Sequence, residues 1–287
     1  MATRQVFVGN RRFVLQEIVR QDVGPLTVIV VAGTHLHRDL ENRVLPVDYQ
    51  LVSSKKELLT VLEHISYDVL LSNGCPYILP VADLPVARYV NIHPSCLPDL
   101  RGVDPVIGSI LHARDAGATC HVMDAHIDTG PVISQVRIPY SDDLDVTTLY
   151  QLSFVAEQRA YSLALERDFA PQFDQVAATD DIYYSRSAGD RILTFRESNS
   201  LLLKKIKAFN NRSQGCEFTI DGRSFRVYMA ARMHNTFLSD LSLQQDEGVV
   251  LFSYENGIIF RKDGEILRFL DIVPGDGRAI EVGTRLF

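Results

Sequence analysis

The sequence predicts an α/β protein: a mostly parallel sheet covered by helices, followed by a smaller β-barrel-like domain. Two observations carry this. In the first half, short apolar runs alternate with helical patterns, as parallel strands buried on both faces require. In the last third, alternating runs are separated by Asp-Gly and Asn-Gly pairs, which mark hairpins.

Gln5–Gly9 reads as the first strand, and Arg11–Arg20, with Phe13, Leu15, Ile18 and Val19 apolar, as the helix after it. Leu26–Ala32 is a continuous, largely β-branched run ending at Gly33. Gly33–Pro46 reads as a short loop, with His35 and His37 as loop residues. Lys55–Ile65 has apolar residues at helical spacing behind Ser53 and Ser54, which can cap it. Tyr67–Ser72 and Tyr89–Ile92 are further buried strands. A helix is expected over Asp104–Ala116, ending at Gly117. Strands follow over Thr119–Met123 and Val132–Ile138, and a long helix over Leu144–Leu165 closes the domain.

The polar stretch Ala177–Asp190 marks the passage to a second domain. The expected division is an N-terminal domain at 1–185, a linker at 186–199 and a C-terminal β domain at 200–287. There, Ser198, Asn199 and Ser200 precede the helical run Leu201–Phe209. Strands are expected at Glu217–Ile220, Ser224–Met229, Val249–Tyr254, Ile258–Arg261 and Glu265–Ile272.

With 46% hydrophobic and 23% charged residues, the 287-residue chain can bury a sizeable core, which excludes a disordered protein. A formal charge of −7 argues against a dedicated nucleic-acid binder. Cys75, Cys96, Cys120 and Cys216 have no zinc-type spacing, and apolar neighbours around the first three fit a reducing compartment. No secretory leader is read at Met1, and no uncharged apolar run of about 18 residues is present, so a cytoplasmic location without a membrane span is expected. Neither a Gly-x-Gly-x-x-Gly spacing near Gly9 nor a P-loop appears, against nicotinamide or ATP chemistry.

Chemistry concentrates between Val90 and Gln135. Asn91 and His93 lie two apart at a strand end, so both can point to one side. Asp128 sits in a loop bounded by Gly130 and Pro131, beyond a neighbouring strand. Ligands in such sheets bind beyond the carboxyl ends of strands, where these residues fall. An amide, an imidazole and a carboxylate suit acyl transfer to an amine. The amide steadies the oxyanion, the other two manage the proton, and no Ser or Cys nucleophile is needed. Each fragment alone is ordinary: Asn-x-His is a weak signal, and Asp-x-Gly-Pro is more often only a turn.

The ordered run is more specific. Asn91-x-His93, then Ser95-x-Leu97-Pro98, Arg101-Gly102 and Asp104-Pro105, then Gly117-x-Thr119-x-His121 and Ile127-Asp128-Thr129-Gly130-Pro131, resembles the folate-dependent formyltransferase family. The resemblance covers about the first two-thirds of the chain and implies a Rossmann-like domain. The C-terminal region, from Lys207-Ala208-Phe209-Asn210 onward, is similar more loosely to the OB-like domain of several members. The resemblance implies 10-formyltetrahydrofolate as formyl donor. It implies Asn91 at the formyl oxygen, His93 as base and Asp128 as its partner, with Ser95, Arg101 and Thr119 in support. It implies two donor loops: Asn73, Gly74, Cys75, Tyr77, Ile78 and Leu79 in one, Asp124, His126 and Ile127 in the other.

The acceptor is left to weaker signals. Arg38 and Arg43 are offset by Asp39 and Glu41, and Lys204, Lys205, Lys207 and Arg212 read as a solvated helix face. The expected acceptor is therefore a small amine, that of a nucleotide-linked amino sugar, with charged initiator tRNA as the alternative. A binding module without turnover is disfavoured by the intact triad. The resemblance leaves a homodimer open. No metal is expected, because His121, Asp124, His126 and Asp128 lack the helical spacing of zinc proteases.

Overall fold

The computed structural model describes residues 3–287; the expected domain start at residue 1 lies outside the described residues. Contacts divide the chain into two compact units. One comprises Met1–Pro105, Asp115–Pro139 and Tyr150–Tyr184, the other Val106–Arg114, Tyr140–Leu149 and Ser185–Phe287.

The first unit holds a seven-stranded sheet. Its strands are β1 (Gln5–Gly9), β2 (Leu26–Val31), β3 (Gln50–Val52), β4 (Val69–Asn73), β5 (Arg88–His93), β6 (Ala116–Val122) and β7 (Val132–Ile138), in the order β3-β2-β1-β4-β5-β6-β7. From β3 to β5 every ladder is parallel; β5–β6 and β6–β7 are antiparallel. β1 and β4 are buried along their whole length, which is why they read as continuous apolar runs. Two apolar clusters form, one around Phe7, Val14, Leu15 and Tyr161, the other around Val8, Ile29, Leu58 and Leu62. Helix α1 (Arg12–Gln21) buries Val14, Leu15 and Ile18.

Strand order reverses between β1 and β4, and there the chain is close-packed. Asn10 donates its N–H to the Asn73 carbonyl at 3.0 Å, and a Cβ on Gly9 would stand 2.4 Å from that same oxygen.

Two elements of this part, a helix and an edge strand, go beyond the sequence reading. Within Gly33–Pro46, His35–Glu41 is helix α2 rather than loop, so His35 and His37 are helical. Thr34 caps it, accepting from the His37 N–H at 3.3 Å, and Leu36 and Leu40 are buried one turn apart. β3 is a three-residue edge strand. Helix α3 (Lys55–His64) follows, with its Ser54 cap as expected. Helix α4 (Pro105–His112) is shorter than anticipated, because Ala113 turns left-handed (φ 52°) and Ala116 already begins β6. Gly117 therefore ends no helix. It lies within β6, where a Cβ would meet the Val136 carbonyl at 2.3 Å. Helix α5 (Val146–Leu165) is the expected long helix.

The second unit carries helix α6 (Asn199–Ala208), capped by Ser198, and a five-stranded antiparallel sheet. Its strands are β8 (Cys216–Ile220), β9 (Arg223–Met233), β10 (Val250–Tyr254), β11 (Gly257–Lys262) and β12 (Glu265–Pro274), in the order β10-β11-β12-β9-β8. The expected hairpins at Asp221-Gly222 and Asp263-Gly264 join consecutive strands; the third hairpin turns one residue earlier than expected, at Glu255-Asn256, and Gly257 already begins β11. β10 and β8 end the order, and no ladder joins them among the described residues. The strands are thus the antiparallel set anticipated, arranged as an open sheet rather than a hydrogen-bonded barrel. A further helix, α7 (Thr236–Ser242), capped by Asn235, goes beyond the sequence reading. Phe195, Phe218, Phe260 and Phe269 form the aromatic centre. The Lys204–Arg212 run is not simply a solvated face: Lys205 is largely buried and pairs with Glu197, Lys207 donates to the Asp142 carbonyl, and Arg212 pairs with Asp271 at 2.7 Å.

Gly9→Ala is expected to destabilise the protein by about 1–3 kcal/mol, the scale of overpacking against backbone. A denaturant midpoint equal to that of the parent would show that the β1–β4 junction yields.

Candidate active site

β5 ends with Asn91 and His93 on one face, as their spacing requires. Its antiparallel partner β6 places His121 directly across from Asn91 and Thr119 across from His93. The loop after β6 carries Asp128 back to this face. That loop is held internally: Asp124 accepts from the Thr129 hydroxyl at 2.9 Å and from the His126 N–H at 3.0 Å. Asp128 is left-handed (φ 57°). A Cβ on Gly130 would lie 2.0 Å from the Val122 carbonyl, so only glycine lets the loop pass this close. Gln175 clamps the loop, donating to the carbonyls of Asp128 (3.1 Å) and Gly130 (2.8 Å).

The side chains converge. Asp128 Oδ2 lies 3.4 Å from His93 Nδ1, and Oδ1 lies 3.4 Å from His121 Nε2. Asn91 Nδ2 is 3.3 Å from Asp128 Oδ1 and 3.2 Å from His121 Nε2. The outer nitrogens fix the tautomers: His93 Nε2 is 3.0 Å from the Leu100 carbonyl and His121 Nδ1 is 2.9 Å from the Val122 carbonyl. A carbonyl only accepts, so each outer nitrogen bears the hydrogen. Neutral His93 therefore turns the lone pair of Nδ1 toward Asp128. It is a base with a carboxylate beside the atom that would take the proton.

Burial lowers the His93 pKa, against the raising influence of Asp128 and the Leu100 carbonyl; charges on His121 and Arg11 lower it further. For Asp128, burial alone would raise the pKa. The close imidazoles of His121 and His93 and the charge of Arg101 outweigh that, and the net shift is downward. The pair thus rests as neutral imidazole and carboxylate.

The supporting residues form a frame beneath. Buried Thr119 donates to the Ser95 carbonyl at 2.7 Å and accepts from the Leu97 N–H at 3.1 Å. Ser95 in turn donates to the Asp99 carbonyl at 2.8 Å. Arg101 donates to the Pro98 carbonyl at 3.2 Å.

Of the first loop expected to hold the donor, Asn73 is fully buried at the end of β4, with its amide donating to the Ile92 carbonyl at 3.1 Å. Gly74 is exposed and left-handed (φ 69°), Cys75 and Tyr77 are half-buried, and Leu79 is buried in the core. Ile78 is 67% exposed and Ile127, in the second loop, 50%, beside exposed Asp124 and His126. Large apolar side chains left open on two loops suit a flat apolar ligand.

Two residues extend the set anticipated from sequence. His121 touches both Asn91 and Asp128; the alternation Thr119-x-His121 on one strand was the signal for it. Gln175 had none, since its place depends on the chain returning to pair Phe173 with Val132.

Comparison with known proteins bears on this site. Residues 40–165 match the formyl transferase family. The methionyl-tRNA formyltransferase of Burkholderia vietnamiensis is 32% identical over 184 residues, 61% of this chain and 55% of that protein. Over residues 40–165 the chain is therefore similar to the formyl transferase family. It spans about half the length of the curated relatives it matches. In fold, it is similar to the sugar 3N-formyl transferase WlaRD, crystallised with dTDP and 5-N-formyl-THF (TM-score 0.71, 18% identity, 94% of this chain and 98% of that one). It is also similar to the N-formyltransferase of Helicobacter canadensis in complex with folinic acid and dTDP-3-aminofucose (TM-score 0.70, 17% identity, 93% and 99%). The formyl transferase match takes in β5, β6, and with them Asn91, His93, His121 and Asp128.

His93 should titrate below the usual histidine value of about 6.5. Because the unfolded chain takes this proton first, the stability contributed by neutral His93 is complete above about pH 6.5 and declines as pH falls toward the folded value. Asp128→Asn removes a raising charge and should move the His93 midpoint lower still. Imidazole NMR titration of parent and variant checks both, and a midpoint that rises in the variant contradicts this account.

Proposed function

We propose that this chain transfers a formyl group from 10-formyltetrahydrofolate to a primary amine, the amino group of a nucleotide-linked sugar. One observation carries the reading: in a chain similar to the formyl transferase family over residues 40–165, one carboxylate lies 3.4 Å from a neutral imidazole and 3.3 Å from an amide. The amine attacks the formyl carbon, forming the C–N bond, and Asn91 turns an N–H to the carbonyl oxygen as it becomes negative. Asn91 can be recruited because its present contacts, at 3.2 and 3.3 Å, are long. His93 accepts the amine proton at Nδ1, and Asp128 stabilises the imidazolium. When the bond to the folate nitrogen breaks, His93 returns that proton to the leaving nitrogen. Formamide and tetrahydrofolate result, and both residues regain their starting states.

The donor lies against the loops 73–79 and 124–128, whose open Ile78 and Ile127 offer apolar faces to its ring system. Likeness to structures solved with 5-N-formyl-THF or folinic acid supports this donor. In this reading residues 1–185 are the catalytic domain, 186–199 the linker and 200–287 an OB-like domain. Four free cysteines favour the cytoplasm.

A second reading, methionyl-tRNA as acceptor, rests on the curated relatives. Against it, Lys205, Lys207 and Arg212 are engaged within their own unit instead of standing free for phosphate.

The test is release of tetrahydrofolate from 10-formyltetrahydrofolate, with dTDP-linked amino sugars and with charged initiator tRNA offered in parallel. Product with the amino sugar only is expected. Product with the tRNA only installs the second reading, and none with either removes both. His93→Ala and Asp128→Asn should each slow turnover at least about a hundredfold, with donor affinity little changed. Near-normal turnover in either variant would take away its assigned role.

A further inference from the structure

An ion pair that the triad does not use lies at the reversal of strand order. Glu157 on α5 is fully buried, and among the described residues its carboxylate has only loose polar neighbours, the Asn73 amide and, in its one ionic contact, Arg11 Nη1 at 3.5 Å. Arg11 stands at the N-terminal end of α1, directly beyond β1, with its guanidinium over the Phe154 ring at 5.3 Å. It borders the first donor loop: a Cβ on Gly74 would meet Arg11 Cγ at 3.3 Å. Its charge also reaches His93. Arg12, the adjacent cation, is turned elsewhere, to Asp39 at 3.4 Å.

Fold stability is a poor reason for such a pair. Burying a carboxylate costs more than one long contact returns, and an apolar side chain would pack as well. What the pair does achieve is placement. Glu157 and Phe154 hold the guanidinium from behind, while the Arg11 side chain remains 23% exposed and, among the described residues, no hydrogen bond occupies its donors. A guanidinium held with free donors is built to receive a planar or tetrahedral oxyanion. The ends of strands at an order reversal are where ligands enter such sheets.

We propose that Arg11, held by buried Glu157, is the anchor for an anionic group of a co-substrate, a phosphate or a carboxylate, bound beside the reacting centre. This deepens the formyl-transfer reading and rests on it. Two sources present that chemistry: the diphosphate of a nucleotide-linked acceptor, and the glutamate carboxylates of the folate donor. Arg11 in this role is a binding residue, and Glu157 a positioning residue.

The experiment is calorimetric titration of the full chain with dTDP, UDP and GDP, with 5-formyltetrahydrofolate, and with the corresponding pteroate lacking glutamate. Arg11→Ala should weaken the responsible ligand about tenfold or more, the scale for a lost charge-assisted hydrogen bond. Arg11→Lys should restore part of the loss, and Glu157→Gln should weaken the same ligand alone. Because Arg11→Ala leaves a buried carboxylate unpaired, the double variant Arg11→Ala/Glu157→Gln is titrated as well. Loss confined to a nucleoside diphosphate assigns the anchor to the acceptor. Loss confined to 5-formyltetrahydrofolate, with the pteroate unaffected, assigns it to the donor's glutamate. Variants that bind every probe as the parent does overturn the proposal while leaving formyl transfer intact. A parent that does not bind 5-formyltetrahydrofolate sinks the formyl-transfer reading, and this inference with it.

Discussion

The carboxylate of Asp128, wedged between two imidazoles, is the contact on which the site depends. It approaches His93 and His121 at 3.4 Å each and receives the Asn91 amide at 3.3 Å. Three strands and a loop must be correctly placed for this to happen. β5 must face β6 in the register that sets Asn91 against His121, and β6 must be followed by a loop able to double back. The close pass over Val122 admits only glycine at position 130, and Asp128 itself takes a left-handed backbone. Gln175 then ties two carbonyls of that loop to a segment that returns along β7. Geometry of this kind is fixed before any ligand arrives, which is what electrostatic stabilisation of a developing charge requires.

The two histidines share one arrangement and differ in consequence. Each spends its outer N–H on a backbone carbonyl, and each turns its inner nitrogen to the carboxylate. His121 also receives the Asn91 amide, so its inner lone pair is satisfied at rest. His93 has no such donor at Nδ1, and burial keeps it neutral. An imidazole that is uncharged, unsatisfied and next to a carboxylate has more to gain from a proton than its neighbour does.

Much of this was readable in the residues. The buried parallel strands declared themselves because both faces are covered, leaving uninterrupted apolar runs such as Val69–Leu71. Hairpins followed from Asp221-Gly222 and Asp263-Gly264, where a left-handed turn needs glycine. Asn91, His93 and Asp128 were found by spacing and order. What escaped depended on tertiary context. α2 buries only Leu36 and Leu40, too few to show a period, and β3 is three residues on an edge. Gly117 looks like a helix stop until the neighbouring β7 carbonyl is seen against it. Closure of the C-terminal strands could not be read either, since hairpins specify neighbours in sequence and not whether the first and last strands meet.

Asp128 and Glu157 are both carboxylates withdrawn from water within one unit, and they resolve that cost in opposite ways. Around Asp128, the close imidazoles of His121 and His93 and the charge of Arg101 overcome desolvation, and the pKa is lowered. Around Glu157, burial prevails over Arg11 and Asn73, and the pKa is raised. The first environment keeps a charge where a neighbouring imidazole can use it. The second leaves a carboxyl group poorly satisfied, and poor satisfaction of a buried acid is seldom explained by folding alone. Among the described residues its only ionic contact is a guanidinium that borders Gly74 and whose charge reaches His93. A buried acid next to an incompletely used base, close to the Asn91–His93–Asp128 cluster, is the arrangement that the proposed anion anchor requires.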